Sequence, residues 1–248
     1  GVISTLMVEV VHGNAIDTYL KLSSTSAMVA GEQSTIVFHA IDVIGNEWMV
    51  DGSLTMVNGN DSQFTEFNGY ATVTPRQVQI WRIEGSWFDF STDTRFEPVF
   101  QMESKPGRLA FIQLNGEGAV LPSDTSLSLD PLFFDAYSNS LESIRLNWTV
   151  DGDDATVDIL LSDLHWIPTH TGGHEIRANA DGVFATIRLT VVEGDARNLV
   201  TDHEDGLVVQ AGVASELYIQ TIDAHGNLAP STEVVSLLES QYGTLEAS

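Results

Sequence analysis

A cluster of carboxylates is the group of residues in this sequence best suited to chemistry. Asp151, Asp153 and Asp154 surround a single glycine, and Asp158 follows four residues later. Calcium takes about six to eight oxygen ligands, so a loop of clustered carboxylates favours it. The run lacks the ligand spacing of an EF-hand loop. The sequence therefore predicts a candidate calcium site at these four aspartates that is not an EF-hand.

Histidines form a second candidate metal group. His165, His170 and His174 are the densest cluster, but they fall on alternating strand positions and a glycine-rich turn, so they need not converge. The chain has no cysteine, which excludes a thiolate zinc site, a disulfide and a cysteine nucleophile. Surface histidines are the simpler interpretation.

Aromatic residues between positions 81 and 100 suggest a binding surface as an alternative to a core. Aromatic side chains in strands are typical of a sandwich core. Trp81 and Trp87 could instead form an exposed platform that binds a sugar or a protein partner. Burial of the two indoles distinguishes these interpretations.

Motifs of catalysis are missing from the sequence. It contains no Gly-x-Ser-x-Gly elbow, no phosphate-binding glycine loop and no His-Glu-x-x-His pair. A carboxylate pair for glycoside hydrolysis stays open, because acids are abundant. We expect that the chain is not an enzyme.

One short motif occurs three times and indicates the elements that position these residues. Its aspartates, Asp42, Asp135 and Asp223, are 93 and 88 residues apart, and each precedes an asparagine by four positions. Asp at the start of a tight turn accepts hydrogen bonds from backbone amides ahead of it, and glycine supplies the left-handed residue. Ser138 replaces that glycine in the middle copy, which predicts a different or strained turn there.

The repeat extends well beyond the turn. Residues 5–46 placed on residues 186–227 without a gap match at 12 of 42 positions, against about 3 expected from ordinary composition. A period near 90 residues suits a small sandwich domain. We predict a closing strand of a preceding repeat in 1–14, domains in 15–105 and 106–195, and a partial domain in 196–248.

The junctions between these repeats carry glycines followed by polar residues, which predict short linkers. One junction offers a further place for a cation, although the first copy has no acids at the matching positions. Its acidic residues are Glu193, Asp195, Asp202, Glu204 and Asp205.

Strands are predicted throughout. Apolar residues alternate in 175–180 and again in 185–191, and Asp181-Gly182 lies between the two runs. Such a pair between two period-two runs predicts a hairpin with a primed turn.

The linkers, an Ala-Gly pair at Ala30-Gly31 and the Asp-x-x-Gly-Asn turn together resemble the tandem immunoglobulin-like repeats of bacterial and archaeal surface proteins, as in invasin- and intimin-like adhesins. The resemblance covers essentially the whole chain. It implies an all-β fold of tandem immunoglobulin-like Greek-key sandwiches strung end to end. The matching positions are turn formers, so no active site follows from the resemblance.

Charge limits the partners and the location. The chain has 35 acidic and 10 basic residues, a net charge of -25. Such a surface repels nucleic acid and anionic membranes and favours solubility in salt. No apolar run is long enough to insert into a membrane, and no signal peptide is visible. We expect an extracellular or cell-surface location.

The sequence therefore predicts a structural and adhesive stalk segment of a large secreted or cell-envelope protein. Its expected partners are neighbouring repeats and a surface glycan or receptor protein. One alternative is a carbohydrate- or protein-binding accessory module of an exported enzyme. A second is a calcium-stiffened adhesin array, with calcium as the sole candidate cofactor.

Overall fold

The computed structural model describes residues 11–23, 27–59, 63–201, 210, 213 and 218–230. The predicted closing strand in 1–14 and the partial domain in 196–248 fall largely outside these residues. Among the residues described, no helix combines the length and the apolar character needed to cross a bilayer.

The first part of the described chain forms strands β1 (Ala15–Leu22), β2 (Met28–Val29), β3 (Ser34–Asp42), β4 (Glu47–Met49), β5 (Ser53–Met56), β6 (Gln63–Phe67), β7 (Tyr70–Thr74), β8 (Ile80–Asp89), β9 (Thr94–Phe96) and β10 (Val99–Lys105). They pair into two sheets. One has the order β1-β3-β7-β6 with β4 beside β3, and the other has the order β2-β10-β8-β5 with β9 beside β8.

One hydrophobic core joins the two sheets. Ile36 and Phe38 of β3 and Trp81 and Ile83 of β8 have no exposed surface and belong to the same cluster of buried side chains. Alternate residues of a strand point to the same face, so each strand contributes every second side chain to this core. Two sheets that share one core form a β-sandwich.

The second part of the described chain contains β11 (Leu109–Gln113), β12 (Val120–Pro122), β13 (Leu127–Ser128), β14 (Leu132–Asp135), β15 (Asn147–Val150), β16 (Asp153–Asp154), α1 (Thr156–Leu161), β17 (His165–Trp166), β18 (Gly172–Ala180), β19 (Val183–Val192), β20 (Asn198–Thr201) and β21 (Ile219–Ile222). The largest sheet has the order β12-β19-β18-β15-β16. The pairs β11-β14, β13-β17 and β20-β21 form two-stranded sheets.

Strand pairing repeats along the chain as the sequence repeat does. The strand after each linker pairs antiparallel with the strand that ends at the aspartate turn, in β1-β3, β11-β14 and β20-β21. A short strand pairs parallel with the last strand of its repeat, in β2-β10 and β12-β19. The sequence repeat is therefore a repeat of topology.

The predicted hairpin is confirmed. Strands β18 and β19 are neighbours in one sheet, and Asp181 and Gly182 between them both have positive φ, 50° and 80°. Two successive left-handed residues make a type I′ turn, whose twist matches that of the flanking strands.

Contacts divide the chain into two compact units. Unit 1 comprises Gly1–Gln113, Leu132–Arg145 and Asp181–Val183, and unit 2 comprises Leu114–Pro131, Leu146–Ala180 and Phe184–Ser248. Strands β11 and β14 thus group with the residues that precede them in the chain. The predicted boundaries of the repeats remain a prediction from the sequence.

Candidate functional site

The structural feature that recurs along the chain with the least change is a turn built on a buried aspartate. Asp42, Asp135 and Asp223 are only 2%, 1% and 0% exposed. In each turn one carboxylate oxygen accepts N–H groups from the residues two and four positions ahead, at 2.8–3.0 Å. The asparagine four positions ahead donates its side-chain N–H to the other oxygen at 2.8 Å. The predicted turn-forming role of these aspartates is confirmed.

The middle turn keeps this arrangement although serine replaces glycine. Ser138 has a φ of 66°, close to the 89° of Gly45 and the 87° of Gly226. The hydrogen bonds of the three turns are the same, so the turn does not change its form. The serine instead occupies the left-handed region that glycine reaches without cost.

A linker glycine binds to each of these carboxylates from the start of the repeat. Its backbone N–H donates to the second carboxylate oxygen, which joins the linker to the end of the strand that carries the aspartate. The three bonds are Gly13 to Asp42 (2.9 Å), Gly107 to Asp135 (2.8 Å) and Gly194 to Asp223 (3.2 Å).

Two of these glycines also lie against the preceding repeat. A Cβ atom at Gly107 would lie 2.7 Å from the carbonyl oxygen of Ala30, and one at Gly194 would lie 2.9 Å from Ser123 Oγ. Ala30 and Ser123 occupy matching corners, because each follows the short strand that pairs with the last strand of its repeat. Only glycine fits where a backbone approaches so closely.

The asparagine of the turn bridges to a loop of the preceding repeat. Asn139 donates from Nδ2 to the carbonyl of Arg76 (2.7 Å) and accepts the N–H of Val78 through Oδ1 (3.0 Å). Asn227 does the same with the carbonyl of Thr169 (3.0 Å) and the N–H of Thr171 (3.3 Å). A side-chain amide has both a donor and an acceptor, which suits it to clamp an extended loop.

The residue two positions after the aspartate covers the corner itself. A Cβ atom at Gly31 would lie 2.9 Å from the ring of Tyr137, and His225 Nε2 is bonded to the carboxylate of Asp124. Tyr137 and His225 occupy the same position of the turn. Gly31 and Asp124 likewise match, since both follow the corner residue and have positive φ, 83° and 74°.

Two assemblies of the same plan result, each within one compact unit. The Asp135 joint comprises the Asp135 turn, Gly107, the corner Ala30–Gly31 and the loop 75–78. The Asp223 joint comprises the Asp223 turn, Gly194, the corner Ser123–Asp124 and the loop 168–171. In each joint the aspartate and the asparagine bind the turn to two further pieces of backbone, the linker and the loop.

Hydrogen bonds keep the buried carboxylates of these turns ionised. The N–H of Gly13 acts most strongly on Asp42 and, with the Asn46 and Ile44 donors, lowers its pKa to about 2 against the effect of burial. Burial raises the pKa of Asp135, but the donors of Asn139, Gly107 and Tyr137 outweigh it and hold the pKa below its ordinary value.

The same balance operates at the third carboxylate. Burial raises the pKa of Asp223, while the Ser123 hydroxyl, the Asn227 amide and the Gly194 N–H lower it by more, so that it lies below its ordinary value. Donors aimed at a carboxylate stabilise its charged form. The charge at each joint is thus bound by the fold itself.

Sequence reasoning identified the turn and missed the joint. The resemblance presented Asp42, Gly45, Asn46, Asp223, Gly226 and Asn227 as turn formers only. The constant separation of linker glycine and aspartate, 29, 28 and 29 residues, was a signal of their contact. The partners of the asparagine gave no such signal, because its bonds go to backbone atoms that any residue type supplies.

The predicted calcium residues line one cleft in unit 2. Asp151, Asp153, Asp154 and Asp158 surround a cavity of about 400 Å³. His165, His170 and His174 line the same cavity. The structure thus brings the two predicted metal groups to one place.

Their geometry does not converge on a single point. Asp153 and Asp154 are successive residues of β16, so their side chains leave opposite faces. Asp151 Oδ2 pairs with His174 Nδ1 at 2.6 Å, and Asp154 Oδ1 accepts the N–H of Thr156 at 3.0 Å. Within the described part of the chain, no three His, Asp or Glu side chains are placed to hold a metal ion. The calcium site remains a prediction.

The acidic run has a structural role of its own. Asp151 and Gly152 have φ of 52° and 95° and form the turn between β15 and β16. Burial raises the pKa of Asp151, but the hydrogen bonds with the Glu175 N–H and with His174 lower it by more. The pKa of Asp151 therefore lies below its ordinary value. At the other predicted cation position, Glu193 and Asp195 are described, whereas residues 202–205 lie outside the described residues.

The predicted aromatic platform does not form at Trp81. Its indole has no exposed surface and belongs to the core of the first sandwich. Residues 81, 83, 85 and 87 alternate along β8 and therefore share one face of the strand, which faces the core. Trp87 at the end of this row is half-buried and stacks on Phe96 at 5.7 Å. A ligand role for Trp87 stays a prediction.

No family model and no curated protein matches the chain. Among solved structures, it is similar to FdeC, an adhesin of Escherichia coli, with 14% sequence identity, a TM-score of 0.53 and coverage of 88% of this chain and 77% of that chain. It is also similar to the S-layer protein rSbsC(31-844), with 13% identity, a TM-score of 0.33 and coverage of 89% and 32%.

A third structure is the protocadherin gammaB7 EC3-6 cis-dimer, with 7% identity, a TM-score of 0.42 and coverage of 83% and 61%. The present chain spans less than two thirds of the S-layer and protocadherin chains. The likeness to FdeC bears on the fold alone. It agrees with the sandwich described above and confirms the predicted class, an all-β chain of immunoglobulin-like sandwiches.

The Asp135 joint yields a stability prediction. Asp135→Ala removes the acceptor of four donors, the N–H groups of Gly107, Tyr137 and Asn139 and the Asn139 amide. We expect the free energy of unfolding to fall by about 3 kcal/mol, since buried donors lose a charged partner. Urea unfolding monitored by tryptophan fluorescence measures it. The exposed Glu142→Ala serves as the control, and equal midpoints for the two variants would contradict the joint.

Acid should weaken the Asp42 turn within a defined pH window. A carboxylate with a lowered pKa contributes stability that is present above its unfolded pKa of 3.8 and lost as pH falls toward its folded pKa, about 2 for Asp42. We therefore expect constant stability from this group above about pH 5 and a loss between about pH 4 and pH 2. Carboxyl-detected NMR titration follows Asp42 directly. A midpoint near 4 for Asp42 would show that its donors do not hold the charge.

Calcium binding in the cleft is testable by thermal unfolding in fixed high sodium chloride. If the predicted site exists, calcium raises Tm in a saturable way, because an ion that binds the folded chain and not the unfolded one stabilises it. Magnesium does not, because it demands near-ideal octahedral geometry and loses its water reluctantly. The exposed carboxylates Asp153 and Asp158 should be required, so Asp153→Asn with Asp158→Asn abolishes the rise, while Glu103→Gln preserves it. No rise, or an equal rise with magnesium, disproves the site.

Proposed function

We propose that this chain is a structural and adhesive module of the cell surface or the extracellular space. Its immunoglobulin-like sandwiches form part of the stalk of a large secreted or cell-envelope protein and hold a distal domain away from the cell. Its direct partners are neighbouring repeats of the same protein. A surface glycan or a receptor protein is the partner proposed for the whole protein.

The repeated joint is the observation that carries this proposal. A spacer transmits position only if each repeat is fixed to the next. In both joints a linker glycine, a turn aspartate and a turn asparagine bind the same pieces of backbone with nearly the same distances. Linkers of this length, bonded at both sides, do not act as flexible tethers.

Charge and resemblance support the setting. A net charge of -25 keeps a long chain soluble and prevents its association with other acidic surfaces. The adhesin FdeC has a similar fold, which suggests an adhesive context for this chain as well. The more specific affinity to invasin- and intimin-like repeats is part of the proposal.

The alternatives have weaker support. An accessory binding module would need an aromatic platform, and Trp81 is buried. A calcium-stiffened array would need a cation between repeats, whereas the joints are closed by hydrogen bonds from the protein itself. We therefore favour the stalk.

The proposal predicts a narrow distribution of distances between repeats joined at Asp135. The chain has no cysteine, so Thr65→Cys with Gln113→Cys allows two spin labels to be placed at exposed positions on either side of this joint and within one compact unit. Pulsed electron paramagnetic resonance then measures their separation. We expect one narrow distribution, which Asn139→Ala broadens by about twofold because the loop 75–78 is released.

Asn115→Ala is the matched control. Asn115 bonds the carbonyl of Ser128 within its own repeat, so its loss should leave the distribution unchanged. A parent distribution as broad as that of a flexible linker would overturn the spacer function.

A further inference from the structure

The turn at Asp42 exposes an apolar surface that its counterparts do not. Val43 and Ile44, at its tip, are 79% and 81% exposed. Tips of tight turns favour small and polar residues such as Gly, Asn, Asp and Ser. Two adjacent β-branched aliphatic residues at the tip do not stabilise the turn itself. We call Val43, Ile44 and the neighbouring Asn46 the turn face.

The position of Ile44 is a contact position in the other two turns. Tyr137 covers Gly31 in the Asp135 joint and is 41% exposed. His225 pairs with Asp124 in the Asp223 joint, and its side chain is 31% exposed. In both turns this residue lies on the corner of the preceding repeat. Ile44, at about twice the exposure, lacks such a corner among the described residues.

The asparagine shows the same difference. Asn139 and Asn227 are half-buried because each clamps a loop of the preceding repeat. Asn46 is exposed and bonds Asp42 with its side chain. Within the described part of the chain, Asn46 forms no bond to a second loop. Its side-chain oxygen is thus presented beside Ile44 in the arrangement that the other two asparagines use.

The linker glycine completes the comparison. A Cβ atom at Gly107 or Gly194 would meet the corner of the preceding repeat at 2.7 Å or 2.9 Å. At Gly13 the nearest described atoms are those of Asp42 itself, at 3.4 Å or more. Among the described residues, no neighbour therefore requires glycine at position 13.

We infer that the turn face binds the corner of another immunoglobulin-like repeat of this type, placed before it in the same protein. This inference rests on the proposed function. The bound corner presents a left-handed residue to Ile44, and its loop presents a carbonyl and an N–H two residues apart to Asn46. Gly13 lies against the corner backbone, as Gly107 does against Ala30. The contact between the turn face and this corner is thus a third joint of the same plan.

The residue type at position 44 defines which corner fits. Tyr137 faces a glycine, and His225 faces an aspartate to whose carboxylate its Nε2 is hydrogen-bonded. Ile44 has no donor, so an aspartate corner would lose solvation without gaining a partner. A glycine corner with apolar neighbours, such as Ala30–Gly31, matches it.

The test extends the chain by one repeat. Residues 15–107 are joined directly to residues 14–248, so that Gly107 of the added copy takes the place of Gly13 and offers its Ala30–Gly31 corner to the turn face. Spin labels at Thr65→Cys of the added copy and Thr94→Cys of the original chain report the distance across the new joint. We expect a distribution as narrow as that across the Asp135 joint.

Two variants of the original turn probe the contact. Ile44→Asp places a charge against the corner, and Asn46→Ala removes the loop clamp, so each should broaden the distribution by about twofold. Thermal unfolding of both variants in the unextended chain controls for folding of the turn. A broad distribution in the extended parent, or no response to either variant, overturns the inference.

The two hypotheses fail separately. If the distribution is narrow across the Asp135 joint and broad across the new one, the turn face does not bind a repeat and the spacer function stands. If both distributions are broad, the spacer function itself is wrong.

Discussion

A buried carboxylate surrounded by donors is the interaction on which this structure depends. A carboxylate with almost no exposed surface is costly unless its charge is compensated. At Asp135 backbone N–H groups and one side-chain amide provide that compensation, without a cation in the set of bonds. Those donors belong to the linker and to the turn, so the hydrogen bonds to one carboxylate hold both segments in place. The asparagine that helps to neutralise the aspartate then extends the same network into the preceding repeat.

Much of this arrangement is encoded locally and could be predicted. The alternation around Asp181-Gly182 specifies the hairpin, and the Asp-x-x-Gly-Asn spacing specifies the turn, because both follow from backbone conformation over a few residues. The bonds from Asn139 to the loop 75–78 could not be predicted, since they span about sixty residues and end on backbone atoms. Trp81 and the acidic run show the same limit. Residue type suggested a ligand at both places. The alternation of side chains along a strand instead places Trp81 in the core and directs Asp153 and Asp154 to opposite faces.

The comparison of the joints separates what is required from what varies. Aspartate, asparagine and the linker glycine are the same in all three copies, and all three take part in the same hydrogen bonds. The residue at position 44, 137 or 225 differs each time, and the two described corners differ as well, since Tyr137 faces Gly31 and His225 faces Asp124. The constant residues set the geometry of a joint, while the variable pair determines which neighbours are compatible. An array built this way can keep one geometry and still specify the order of its repeats.

The acidic surface and the acidic joints follow different physics. Surface carboxylates interact through solvent, so salt screens them within about 10 Å at ordinary ionic strength. The joint carboxylates Asp135 and Asp223 are buried and accept the linker N–H at 2.8 and 3.2 Å, distances at which solvent ions do not intervene. Changes in salt therefore act on the surface and leave the joints unaffected. A chain with a net charge of -25 can thus keep these hydrogen bonds at ionic strengths that screen its surface charges.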